Sequence, residues 1–153
     1  MRVLTPDLLH ATLCFLGNRP VEEIDLLGAQ LTRCTAVADE LSIGAPLWLP
    51  RRGPRALAVE LHDPRGWLAG LQRNVLDAIR EVSGWQASEK GRARRRFHPH
   101  ITLARMRTGA APRERALIPT PSLSFVPNEL VLYRSWLAPE GASHEAVASC
   151  PIG

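Results

Sequence analysis

A short phrase occurs twice in this chain and restricts what the chain can fold into. The copies are His10-Ala11-Thr12-Leu13 and His100-Ile101-Thr102-Leu103. In each copy a histidine and a threonine lie two residues apart in an apolar run, so both polar side chains point to one face of an extended strand. Two chance copies of H-x-T-L are expected on the order of once in a thousand chains of this length. Two such strands side by side would bring two imidazoles and two hydroxyls together, which suits acid/base chemistry on a phosphate.

The composition is that of a globular protein with many turns. The chain has 153 residues, of which 45% are hydrophobic and 22% charged, with 13 prolines and 11 glycines. We expect one domain over residues 1–153, built from two interleaved lobes. The apolar stretches are too short to span a membrane, and the N-terminus lacks the layout of a signal peptide. Three cysteines without a C-x-x-C pair argue against a disulfide framework or a zinc site and favour the cytoplasm.

The positive charge leaves two interpretations open. The net charge is +4, and Lys90 is the only lysine among the 19 basic residues. The many arginines form either a solvated basic surface or a surface for an anionic ligand such as RNA. The run from Lys90 to Arg96 is likewise either a solvated loop or a contact to an RNA backbone.

The hydrophobic pattern predicts an α+β fold with antiparallel sheets and two helices on the outside. The first motif is expected on a strand after a short lead-in, and residues 106–122 are expected to form a long loop. The remaining elements follow from helical spacing, from alternation and from Pro/Gly turns. They are a helix from Pro20 to about Val37, strands Leu41–Leu49 and Ala56–Leu61, a helix from Asp63 to about Val82, and closing strands Leu130–Leu137 and His144–Cys150.

The phrases H-A-T-L-C-F-L-G and F-H-P-H-I-T-L-A-R resemble the paired signatures of the two-histidine (2H) phosphoesterase superfamily. Within it, the chain is most similar to the bacterial and archaeal RNA 2',3'-cyclic phosphodiesterases, historically called 2'-5' RNA ligases. The similarity extends to Pro54-Arg55 ahead of a strand and to the closing segment from Leu132 to Gly141. The resemblance implies a bilobal fold with two antiparallel sheets, pseudo-twofold symmetry around a central cleft and helices outside. Each lobe would give one H-x-T strand to the cleft.

The resemblance also implies the site residues. His10 and His100 would be the catalytic acid/base pair, and Thr12 and Thr102 would bind the phosphate oxygens. Two further positions in the family help to hold the nucleoside, and they correspond here to Arg105 and Phe15. Strict strand alternation would put both of these on the face opposite the histidines, so a bulge or a strand end is needed there.

The implied reaction is metal-independent and uses no cofactor. It opens a 2',3'-cyclic phosphate of RNA or a nucleotide to a 2'-phosphomonoester, as a step of RNA processing, with weak reverse 2'-5' ligation. By analogy His100 is the base and His10 the acid, although the residues alone do not distinguish the two roles. RNA ends or cyclic nucleotides are the expected partners, and no obligate protein partner is predicted. Two alternatives stay open: a non-catalytic RNA-end-binding module, and a metal-dependent phosphatase with His98 and His100 as ligands.

The chain departs from the family pattern in two places. Family members usually carry a strand and a helix ahead of the first motif, which this chain reaches almost at once. We expect either a start further upstream or a lobe that lacks an element, with an exposed sheet edge or apolar patch as the result. His144 stands where an aromatic residue is common, and we expect little consequence from it.

Overall fold

A computed structural model of the protein describes residues 1–34, 37–85, 97–107, 109–138 and 141–152. The chain divides into two compact units, each assembled from three separate stretches. Unit 1 contains Met1–Thr12, Glu40–Pro64 and His98–Phe125. Unit 2 contains Leu13–Asp39, Arg65–Phe97 and Val126–Gly153. Both H-x-T phrases, at residues 10–12 and 100–102, therefore belong to unit 1.

Unit 1 is a five-stranded antiparallel sheet. Its strands are β1 (Arg2–Val3), β2 (Leu41–Leu49), β3 (Ala56–His62), β4 (His100–Arg105) and β5 (Ser124–Phe125). They lie in the order β1-β4-β3-β2-β5, so β4 has a neighbour on each side. One face of the sheet is apolar because Leu41, Val59 and Leu61 alternate with polar residues and are at most 6% exposed. Each such side chain stabilises the unit by about 1.5–3 kcal/mol.

The chain ahead of the first motif runs along β4. Arg2 and Val3 pair with Arg105 and Ala104, and the Leu4 N–H donates to the Leu103 carbonyl at 2.8 Å. A 3-10 turn, Pro6–Leu8, then leads into the first motif. The lead-in is thus partly a strand, and the motif that we predicted as a strand is extended chain held by one isolated bridge, Ala11 to Ile101. The turn interrupts the ladder, which explains the difference.

Unit 2 packs helices against a hairpin. Its elements are the short helices α1 (Ile24–Ala29) and α2 (Leu31–Cys34), the helix α3 (Trp67–Ser83), and the hairpin of β6 (Glu129–Ala138) and β7 (Gly141–Pro151). In α3, apolar residues recur every three or four positions and are buried; they are Leu68, Leu71, Val75 and Ile79. Gly84, with φ of 60°, ends the helix in the left-handed conformation, and its N–H donates to the Arg80 carbonyl.

One sequence prediction for unit 2 needs correction. The single helix predicted from Pro20 to Val37 is a 3-10 turn, Val21–Glu23, followed by α1 and α2, which are separated at Gln30. The cysteine in the core of this unit, Cys34, is 3% exposed, and burial raises the pKa of its thiol against the opposing effect of the Arg33 guanidinium. Cys34 is accordingly an apolar core residue. Among the described residues, no helix is long and apolar enough to cross a membrane.

Candidate active site

One backbone bridge brings the two phrases together. Ala11 pairs with Ile101 in antiparallel orientation. In this register His10 lies opposite Thr102, and Thr12 opposite His100, with about 5 Å between the paired Cα atoms. Because side chains alternate along extended chain, the two histidines and two threonines share the face opposite that of Ala11 and Ile101. The arrangement has local twofold character, and each imidazole lies beside a hydroxyl-bearing residue of the other phrase.

Both histidines are oriented in the same way. The Nδ1 atom of His10 lies 2.8 Å from the carbonyl oxygen of Leu8, and Nδ1 of His100 lies 2.8 Å from that of His98. A carbonyl oxygen can only accept, so Nδ1 carries the hydrogen in each ring. The Nε2 atom is therefore the nitrogen that gains or loses a proton. Both histidines are half-buried.

A bulge in β4 moves Arg105 to the histidine face. Ala58 pairs with Thr102, but the next residue back, Leu57, pairs with Ala104, so Leu103 is an extra residue in β4. Beyond the bulge Arg105 pairs with Ala56, which shares a face with Ala58. Arg105 thus lies on the same face as His100 and Thr102, with its guanidinium exposed. This is the kind of irregularity that the sequence argument required at this position.

Sequence reasoning missed an acidic residue beside the second motif. Glu60 on β3 pairs with His100, and its carboxylate lies 3.1 Å from Nε2 of His98. No carboxylate is close to the second motif in sequence, because Glu60 is far away along the chain and only the register of β3 brings it there. The alternation of Ala58, Glu60 and His62 on one face of β3 is the signal that could have found it. Within the described residues, no group of three or more metal-ligating side chains is assembled.

Phe15 lies in unit 2, in the segment that follows the first motif. The neighbours Cys14 and Leu16 pack against the core of unit 2, and the Leu16 carbonyl accepts a hydrogen bond of 3.1 Å from the Trp85 indole. Phe15 alternates with them and is 57% exposed. The run from Lys90 to Arg96 lies outside the described residues.

Comparison with known proteins identifies the family. The chain is 32% identical to an RNA 2',3'-cyclic phosphodiesterase of Thermus thermophilus over 89% of its own length and 68% of that protein. It is 32% identical to one of Geobacillus stearothermophilus over 94% of its own length, but it spans only 45% of that protein. No family model matches the chain.

Solved structures agree with this relationship. The crystal structure of TT0787 of Thermus thermophilus superimposes with a TM-score of 0.76 and 27% identity, over 99% of this chain and 81% of that one. The structure of E. coli LigT complexed with 3'-AMP gives a TM-score of 0.74 and 25% identity, over 99% and 80% of the two chains. The fold and the paired motifs define a two-histidine phosphoesterase. Within that class, the chain belongs to the RNA 2',3'-cyclic phosphodiesterase family.

Two sequence predictions are thereby confirmed. The predicted α+β fold with two antiparallel sheets is the fold observed. The predicted class of enzyme, a cyclic phosphodiesterase among the hydrolases of phosphoric diesters, is confirmed at the level of the family. The individual roles of His10, His100, Thr12, Thr102, Arg105 and Phe15 stay predictions.

Proposed function

We propose that this protein hydrolyses 2',3'-cyclic phosphate ends of RNA or of nucleotides to 2'-phosphomonoesters, without a metal ion. The observation that carries the proposal is the bridge between Ala11 and Ile101, which brings both H-x-T phrases to one face. The names of the two curated relatives support the substrate class. A scissile phosphate over this face would have one histidine on each side of it.

The two histidines divide the proton transfers between them. One neutral imidazole accepts a proton at Nε2 from water as the water oxygen bonds to phosphorus. The other, protonated at Nε2, donates that proton to the ribose 3' oxygen as its bond to phosphorus breaks. The bonds from Nδ1 to the Leu8 and His98 carbonyls hold both rings in orientation during the transfer. Positioned acid/base groups of this kind typically contribute about 10²–10⁴-fold in rate.

Threonine hydroxyls and an arginine would hold the phosphate. Thr12 and Thr102 are neutral donors for the non-bridging oxygens, on which negative charge increases in the transition state. Arg105 is on the same face and supplies a planar, always-charged donor for a phosphate or a nucleoside. Phe15, with its exposed ring, is proposed to stack on a base, and stacking of this kind tolerates any base.

We assign the base to His100 and the acid to His10, as the family resemblance implies. The immediate geometry of the two rings is alike, so the assignment needs its own test. An essential base reduces activity at low pH, where it is protonated, and an essential acid reduces activity at high pH. His100→Ala should therefore abolish the acidic limb of the pH–rate profile of the residual activity, and His10→Ala should abolish the alkaline limb. The reverse pattern would exchange the two roles.

Hydrolysis of 2',3'-cyclic AMP in the presence of EDTA tests the function itself. We expect turnover to 2'-AMP by the wild type and a loss of about a hundredfold or more in His10→Ala and in His100→Ala. His62→Ala is the control, because His62 is an exposed histidine of the same sheet outside the two phrases. Formation of 3'-AMP would contradict the proposed direction of opening. A folded wild type without turnover would favour the RNA-end-binding module instead.

Weak reverse ligation belongs to the same proposal. A catalyst lowers the barrier in both directions, so an RNA 2',3'-cyclic end and a 5'-hydroxyl end should give a small amount of 2'-5' linked product. The product should be lost in the same two histidine variants. If either histidine variant still formed the 2'-5' linked product, ligation would not take place at this site.

A further inference from the structure

A cavity in unit 1 is lined by arginines. It has a volume of about 330 Å³ and lies where β4 ends. Its walls come from the turn before β3, which supplies Gly53 and Arg55, and from the segment after β4, which supplies Met106 and Arg107. Arg115 closes it from further along the same segment. None of these residues belongs to the H-x-T phrases.

Backbone hydrogen bonds hold these walls in place. The Met106 N–H donates to the Arg55 carbonyl at 2.8 Å, which fixes the two segments side by side. The Ala110 N–H donates to the Arg107 carbonyl at 3.0 Å. The indole Nε1–H of Trp48 donates to the Arg115 carbonyl at 3.2 Å. The cavity is therefore a built feature of the unit, positioned by residues that are far apart in sequence.

The charge of the cavity favours a phosphate. Three arginine residues line it, all of them exposed, and no acidic residue is among the described residues that line it. Some arginines outside the cavity are paired with carboxylates, as Arg19 is with Glu23 at 2.7 Å. Guanidinium groups offer several N–H donors in a planar fork that matches a phosphate. A cluster of this kind without a carboxylate is best neutralised by an anionic ligand.

The position of the cavity relates it to the histidine face. Arg105, on that face, directly precedes Met106 of the cavity wall. From Thr102 to Arg107 the backbone advances on the order of 15 Å. A strand of RNA that leaves the histidine face past Arg105 would reach the cavity within a few nucleotides, whereas a cyclic mononucleotide at the histidines would not.

We infer that the cavity lined by Arg55, Arg107 and Arg115 binds a backbone phosphate of the RNA strand whose cyclic end lies at the histidines. The inference rests on the proposed function and adds a preference to it. RNA should be a better substrate than a cyclic mononucleotide, and the cavity should be responsible for the difference.

The test compares two substrates in the same variants. We would measure kcat/KM for 2',3'-cyclic AMP and for a short RNA oligonucleotide that ends in a 2',3'-cyclic phosphate. Arg107→Gln and Arg115→Gln should each lower kcat/KM for the oligonucleotide by about tenfold. Each should also reduce the slope of log(kcat/KM) against log salt concentration by about 0.7 in magnitude. Both should leave cyclic AMP hydrolysis within about twofold of the wild type. Arg113→Gln is the matched control, since Arg113 is an exposed arginine of the same segment that does not line the cavity.

Several outcomes would overturn the inference. Equal losses of kcat/KM for both substrates would mean that the arginines act at the histidines or on the fold. Unchanged kcat/KM for the oligonucleotide would show that the cavity does not bind RNA. The same loss in Arg113→Gln would reduce the effect to general surface charge. Competition by ATP at the cavity, with unchanged oligonucleotide kinetics in the variants, would identify free nucleotide phosphates as the ligand and refute the RNA assignment.

Binding measurements separate this inference from the proposed function. If the wild type hydrolyses neither substrate, the proposed function fails. The binding of a labelled oligonucleotide with a 2'-phosphate end, measured by fluorescence anisotropy, then tests the role of the cavity independently of hydrolysis. Tenfold weaker binding in Arg107→Gln and Arg115→Gln, but not in Arg113→Gln, would support the cavity. Unchanged binding in all three would overturn it.

Discussion

At the scale of single residues, the candidate site depends on side chains that can transfer protons or donate hydrogen bonds to one phosphate. The histidines are oriented through their Nδ1 atoms by backbone carbonyls, so their orientation needs no third catalytic side chain. Thr102 lies on the ordered strand β4, half-buried, whereas Thr12 lies on extended chain and is exposed. If both hydroxyls donate to non-bridging oxygens, the hydroxyl on β4 is the better positioned of the two.

Thr102→Val and Thr102→Ser separate the hydroxyl from the packing. Valine keeps the branched shape and loses the donor, so kcat for 2',3'-cyclic AMP should fall by about a hundredfold, as when an oxyanion-hole donor is removed. Serine keeps the donor and should retain activity within about tenfold of the wild type. Steady-state kinetics of both variants measures kcat, and thermal melting shows whether the packing is preserved. A valine variant as active as the serine variant would show that Thr102 is a packing residue.

Single residues could be predicted from the sequence where reactive side chains recur at a fixed spacing. The repeated phrases pointed to His10, Thr12, His100 and Thr102, and the bridge at Ala11 brings these four together. The Glu60 carboxylate was missed because no local pattern relates it to His98. Side chains that meet only through strand register, such as Glu60 and His100, are outside the reach of a single local motif.

At the scale of elements, long periodic segments were predicted well. The bounds of β2, Leu41–Leu49, are those predicted, whereas α3, Trp67–Ser83, ends close to the predicted Val82 but begins later than the predicted Asp63. The elements that were not predicted depend on contacts between residues that are far apart in sequence or are too short to show a pattern. The predicted first helix divides at Gln30, whose N–H bonds to the Leu27 carbonyl in a tightened turn. The bulge at Leu103 exists because of how β3 pairs with β4, and the two-residue strands β1 and β5 are too short to give a pattern.

Gly44 in β2 offers a prediction for an irregular element. It is buried at a register shift of the β2–β3 pair, and a Cβ there would meet the His62 ring and lie 3.1 Å from Cβ of Glu60. Gly44→Ala should lower the free energy of unfolding by about 1–3 kcal/mol. Adding His62→Ala should recover part of that loss, because the ring is the nearest obstacle. Chemical denaturation of the single and double variants measures the coupling.

Gly70→Ala is the matched control in a regular element. Gly70 is inside α3, and the nearest group to an added Cβ is the end of the Arg73 guanidinium at 4.0 Å. Alanine should therefore stabilise the helix by up to about 1 kcal/mol. If both alanine variants changed stability in the same direction, close packing around Gly44 would not be the reason for its glycine.

At the scale of the whole molecule, chemistry and helical packing belong to different units. The two H-x-T phrases and the arginine-lined cavity are in unit 1. A cluster of buried side chains in unit 2 combines residues of α1, α2 and α3 with Leu130 of β6 and with Ile152. The buried residues of this cluster all belong to unit 2, and none of them is part of an H-x-T phrase. A defect in the core should therefore change stability without removing any group that contacts the phosphate.

Leu71→Ala tests this separation. Leu71 is 3% exposed in the core of unit 2, and its truncation should cost about 2–5 kcal/mol of unfolding free energy, or on the order of ten degrees in Tm. At a temperature well below the melting transition, kcat for 2',3'-cyclic AMP should stay within about twofold of the wild type, because all proposed acid/base groups are in unit 1. Asn74→Ala, an exposed change on the same helix, should leave both stability and kcat nearly unchanged. A fall in kcat of Leu71→Ala where circular dichroism still reports the folded state would mean that the helical core of unit 2 sets the geometry of the histidines.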